Sequence, residues 1–161
     1  MKDSGEIGAG EAEVAWPPRV PWLDDDTAGL VQAIVATVAR RHMDLRAAIL
    51  FGSVARREER CLDDTEPSDV DVLLVFDLEP EWDHQPLERR LAISHSIGLA
   101  LDHHLHAPRE VNVLTAVRDL TDWDPTFVAN VAHDGLLLWA RGPLPAPLAR
   151  LRALTDPSAK R

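Results

Sequence analysis

Two short apolar runs constrain the fold of this chain more than any other feature. Ala47-Ala48-Ile49-Leu50-Phe51 stops at Gly52-Ser53, and Val70 to Phe76 is interrupted only by Asp71. Both are shorter than an ordinary helix and end at turn or polar residues, so both read as buried strands. Buried strands need cover, and the flanking sequence offers it. Asp24 to Asp26 supply N-cap candidates and negative charge ahead of Leu30, Val31, Ile34, Val35 and Val38, which repeat at helical spacing and predict a helix over about 25 to 42. After Pro86, the residues Leu87, Leu91, Ile97, Leu101 and Leu105 fall on roughly one helical face, and this second helix is expected to end near Pro108.

Val111 and Val113 open a third strand candidate. Asp124-Pro125 is an N-cap followed by proline at the first helical position, which starts a helix to about His133; Gly135 ends it and Leu136 to Trp139 form a fourth strand. In the proline-rich tail, Leu148, Leu151 and Leu154 suggest a short helix that docks on the domain. Residues 1 to 22 lack periodicity and read as a mobile leader, whose Trp16 and Trp22 can pack on the domain or on a partner. The expected organisation is a leader over 1–22, one domain over 23–142 and a tail over 143–161. The expected class is α/β (α+β), a small mixed sheet flanked by helices and covered mainly on one side.

Composition narrows the function. With 161 residues, 45% hydrophobic and 27% charged, the chain has the mixture of one globular domain with a real core. No stretch approaches the roughly 20 apolar residues of a membrane span, and the N-terminus lacks the basic start and apolar run of a secretion signal, so a soluble, cytoplasmic protein is expected. The single cysteine, Cys61, can form neither an internal disulfide nor a cysteine-based zinc site. A net charge of −10 disfavours nonspecific binding to nucleic acid, whereas a free nucleotide carrying cations is an easier ligand.

The chemistry concentrates between the first two strands. Gly52 lets the backbone turn tightly and approach a ligand, Ser53 offers a hydroxyl, and a helix starting over Val54 to Arg60 would present free N–H groups to phosphate. Asp69 and Asp71 alternate onto one face of a strand, where two close carboxylates repel unless cations lie between them. Mg²⁺ suits such a pair, since it binds one or two carboxylates together with substrate phosphates. Taken singly, a Gly-Ser after a strand is usually a turn, and an Asp-X-Asp is more often a solvated strand end. His95, His103, His104 and His106 read as a polar helix end rather than a metal site, because neighbours on a helix point about 100° apart.

In their strand contexts, and with Ser68 leading into Asp69, these parts together resemble the Gly-Ser and Asp-X-Asp signature of the minimal nucleotidyltransferases of the polymerase-β superfamily. The segment FVANVAHDGLLLWARG, residues 127 to 142, resembles the helix, glycine and strand with which such domains close, so the likeness covers roughly residues 28 to 142. The resemblance implies that Gly52 and Ser53 bind phosphate and that Asp69 and Asp71 are metal ligands and catalytic. It implies a phosphate contact for Arg56, which is open to the alternative of an exposed helix arginine. Val54 and Arg57 stand where the family often has arginine and glycine. Fifteen residues separate Ser53 from Asp69, more than is usual, and Asp63, Asp64 and Glu66 among them read as a solvated loop.

The main departure is Asn112, which stands where the family's third carboxylate is expected. A neutral amide cannot accept the proton of an attacking hydroxyl. Glu110, two positions away, is either a substitute or a charge at the start of the strand. Two readings follow from the resemblance. In one the protein is a Mg²⁺-dependent enzyme that transfers a nucleoside monophosphate, with ATP the preferred donor, to a hydroxyl, as small antitoxins do to a helical HEPN-type toxin partner. In the other it is a binding module that keeps the fold and clasps a partner without turnover, with the tail leucines or leader tryptophans as contact surface.

Overall fold

The first helix forms where both of its ends are satisfied. In the computed structural model, which describes residues 16–77, 86–117, 120 and 123–154, helix α1 spans Asp25–Arg41. The Asp24 carboxylate accepts hydrogen bonds from the Thr27 amide and hydroxyl, both at 2.9 Å, and Asp25 and Asp26 add negative charge to the first turn. At the other end Arg141 donates to the carbonyls of Ala39 at 3.0 Å and Met43 at 2.7 Å. It thereby supplies donors that a helix terminus otherwise lacks.

The remaining elements are β1 (Leu45–Phe51), α2 (Gly52–Ala55), β2 (Val70–Phe76), α3 (Pro86–Asp102), β3 (Val111–Val117), α4 (Pro125–Asp134), β4 (Leu136–Ala140) and β5 (Arg152–Ala153). Among the described residues the sheet has five strands in the order β3-β2-β1-β4-β5. Strand β1 runs antiparallel to both β2 and β4, while β2 and β3 are parallel, with α3 in the crossover that a parallel pair requires. The sheet is therefore mixed and flanked by helices, as expected.

Both faces are covered, which corrects the expectation of one-sided cover. Leu45, Ala48, Leu50, Val72, Leu74 and Phe76 pack beneath α1 and Ile93 of α3. The alternating residues Ala47, Ile49, Leu73 and Val75 pack with Val131 of α4 and with Leu148. The central strands carry apolar side chains on both faces, so neither face can be left wet. Gly135 lets β4 leave α4 tightly: a Cβ there would lie 2.5 Å from the Val131 carbonyl.

Helix α3 presents a different face from the one its leucines predict. Leu87 and Leu105 are 67% and 77% exposed, Leu91 and Leu101 are exposed too, and the buried positions are Ile93, Ser96 and Ala100. Of the residues expected on the inward face only Ile97 packs inward, and with Ala100 it meets Leu30, Ala33 and Ile34 of α1, where small side chains allow close packing of the two helices. The helix also stops at Asp102, short of Pro108.

Among its described residues, as far as Leu154, the tail is not an α-helix. A single 3₁₀ turn over Ala146–Leu148 precedes β5, with Pro145 and Pro147 contributing no backbone donors. Leu148 is fully buried and Leu154 is buried, so neither belongs to a contact surface. Pro17, Val20 and Leu23 are buried as well, and the Gln32 side chain donates to the Pro17 carbonyl at 2.9 Å. The leader expected over 1–22 lies outside the described residues as far as residue 15. Among the described residues no helix is long and apolar enough to cross a membrane.

Candidate functional site

Strand β1 delivers the chain to Gly52, whose φ of 78° is open to glycine at little cost. Phe51 is the register partner of Asp71, so the turn begins beside that carboxylate. The approach is close: a Cβ on Gly52 would lie 2.4 Å from Asp71 Oδ2. The turn closes through Arg56 N to Gly52 O at 3.2 Å, Arg57 N to Val54 O at 3.1 Å and Glu58 N to Ser53 O at 2.8 Å. The helix expected over Val54 to Arg60 is only the single turn α2, because Arg57 adopts φ 61° and reverses the chain. The turn thus has the amides of a single helical turn and lacks the dipole of a long helix.

The loop that follows leaves Asp63, Asp64 and Glu66 exposed, as expected, and then clamps the residue before Asp69. Ser68 is buried; its hydroxyl accepts from Arg60 N at 2.7 Å and its carbonyl accepts from Arg109 Nη1 at 2.8 Å. Arg109 is itself buried, 8% exposed. Sequence reasoning missed Ser68 and Arg109 as supports, since charge next to a strand signals a solvated end and burial of an arginine depends on the carbonyl it finds.

Asp69 lies just before β2 and Asp71 is the second residue of that strand. Asn112, the register partner of Asp71 on β3, donates through Nδ2 to Asp69 Oδ2 at 3.0 Å and to Asp71 Oδ1 at 3.4 Å. Three of the expected site residues thus converge on one point, with Gly52 against them. Burial pushes the Asp71 carboxyl above its ordinary range; the Asn112 hydrogen bond opposes this, the Asp69 charge adds to it and Arg56 opposes it. Arg56 is within electrostatic reach but also bonds Glu58 Oε2 at 3.1 Å and approaches Asp134 Oδ2 at 3.8 Å.

Glu110 precedes β3, its carbonyl accepting from Val70 N at 2.8 Å and its side chain exposed. It does not hydrogen-bond the carboxylate pair. It lines, with Asn112, Arg109, His104, Leu101 and Leu105, a pocket of about 530 Å³ at the edge of the site. Among the described residues no three of His, Cys, Asp or Glu form a metal-holding group.

The donors at Asp69 and Asp71 nevertheless fit a cation that shares its coordination with substrate oxygens. Two carboxylates already turn toward a single donor, and reversing the Asn112 amide would turn its oxygen to the same point.

No protein-family model matches the chain, and no curated protein matches it. Solved structures to which it is similar include a candidate nucleotidyltransferase from Sulfolobus solfataricus, 22% identical over 70% of this chain and 78% of that one, with a TM-score of 0.43. A toxin-antitoxin structure with AMP-PNP is 18% identical over 68% and 72% of the two chains, with a TM-score of 0.42. A toxin-antitoxin structure named MntA-HpeT is 16% identical over 67% and 71%, with a TM-score of 0.41. Nucleotidyltransferases and toxin-antitoxin proteins are thus the kinds of structure to which the chain is similar.

Proposed function

We propose that the protein is a nucleotidyltransferase that moves a nucleoside monophosphate, AMP by preference, from a nucleoside triphosphate to a hydroxyl on a protein partner. The observation that carries this reading is the Gly52 turn pressed against Asp71 while Asp69 and Asp71 face one point. The turn amides and Ser53 bind phosphate, with Arg56 beside them. Asp69 and Asp71 would hold Mg²⁺, which would supply charge neutralisation for the triphosphate and the departing pyrophosphate. The acceptor oxygen forms a bond to the α-phosphorus as the bond to pyrophosphate breaks. Glu110 takes the acceptor proton, since it shares with Asn112 the pocket from which a hydroxyl can approach. A helical protein of the HEPN type is the partner favoured by the resemblance.

Label transfer from each α-labelled ribonucleoside triphosphate with Mg²⁺, with and without cell lysate, tests the proposal beside an Asp71→Ala control. Transfer that vanishes in the control supports it. Nucleotide binding without transfer to any species sinks the catalytic reading.

A second reading is favoured by Asn112, whose amide donates to both carboxylates where a third acid would complete the centre. In it the protein binds nucleotide and a helical partner without turnover, and the exposed leucines of α3 are the contact surface. Asn112→Asp separates the two readings. A large gain in transfer identifies a weakened centre, whereas a loss shows that the amide belongs to a working one.

A further inference from the structure

Trp22 lies outside the carboxylate centre, yet it reaches the turn that faces it. Its Nε1 donates to the Val54 carbonyl at 2.8 Å, and that same carbonyl accepts from Arg57 N at 3.1 Å. Arg57 stands at φ 61°, a conformation that a residue other than glycine keeps only when its surroundings hold it. Its guanidinium lies 4.7 Å above the Trp22 ring. One indole therefore grips the turn twice, by a directed hydrogen bond to its backbone and by a stack on its strained residue.

Trp22 is in turn held from both sides. Val20 and Leu23 are in the core, and Leu23 N donates to Val20 O at 3.2 Å. A half-buried tryptophan that merely filled space would need neither the directed N–H nor the cation above its ring.

We propose that Trp22 is a positioning residue that keeps the turn from Gly52 to Arg57 in the shape that sets Gly52 against Asp71. The consequence for ligand affinity rests on reading that turn as a phosphate site; the consequence for the turn itself does not.

The test is amide hydrogen exchange on the full chain, comparing wild type with Trp22→Phe, which keeps a ring beneath Arg57 but loses the N–H, and Trp22→Leu, which loses both. The Arg57 and Glu58 amides should exchange about fivefold faster in Trp22→Phe, the worth of one ordinary hydrogen bond, and faster still in Trp22→Leu. Amides of β1 and β2 should keep their wild-type rates. The Kd for ATP with Mg²⁺, measured by calorimetry, should rise by a similar factor.

Unchanged exchange at Arg57 and Glu58, or acceleration spread evenly over the sheet, overturns the proposal. A Kd that stays constant while those amides loosen overturns the phosphate reading of the turn and supports the positioning role of Trp22. If wild type itself fails to bind ATP, the phosphate reading of the turn falls, and the exchange pattern still decides the role of Trp22.

Discussion

Gly52→Ala is the substitution on which the geometry of the site bears most directly. Two costs can be worked from the structure. Alanine at φ 78° carries a left-handed penalty of roughly 1–2 kcal/mol. The added Cβ would also stand 2.4 Å from Asp71 Oδ2. That obstacle is the tip of a rotatable side chain, so the clash is relieved by turning Asp71 away, which breaks its hydrogen bond with Asn112 at a further cost of about 1 kcal/mol. The expected loss is therefore about 2–3 kcal/mol by urea denaturation at neutral pH. In an Asp71→Ala background the obstacle is gone and only the backbone term remains, so the same substitution should cost about 1 kcal/mol less. A loss below roughly 0.5 kcal/mol in the single variant, or full additivity in the cycle, would refute the close approach of turn and carboxylate.

Two further outcomes are expected. Leu148→Ala should cost about 2–5 kcal/mol because Leu148 is fully buried against the second face of the sheet, whereas Leu105→Ala, at an exposed position of 77%, should stay within roughly 0.5 kcal/mol; equal effects in urea melts would contradict the packing of the tail. His42 is pushed down to about 4, first by burial and then by the charges of Arg89 and Arg41. The unfolded chain takes up this proton near pH 6.5 and the folded one resists until about 4, so stability falls as pH drops through that window. The loss is roughly 2 kcal/mol once solvent screening is allowed for. Replacing the ring by His42→Gln should flatten the dependence of Tm on pH between those values, and a flat wild-type profile would count against it.

Most elements and the central motif were legible in the sequence, because the signals that specify them are local. The apolar runs at 47–51 and 70–76, the Asp24 and Asp124 caps and the break at Gly135 each declare themselves within a few residues, and the structure has strands, helices and ends there. Glycine at 52 and the alternation of Asp69 and Asp71 similarly needed nothing beyond a strand and a turn. Tertiary structure decided what depends on a distant partner. Helix α3 turned its leucines outward while Ile93, Ser96 and Ala100 face inward, and helical spacing alone does not rank two competing faces. The tail folded as a turn and a strand because Leu154 N found the Leu137 carbonyl at 2.9 Å across the sheet. Arg141 closed a helix about a hundred residues away in sequence, at Ala39. The amide of Asn112 came to rest between two carboxylates because β3 pairs with β2 in the register that sets Asn112 beside Asp71. Residue types and their periods can be read along the chain, but a hydrogen bond or contact between distant segments exists only once folding has brought its two ends together.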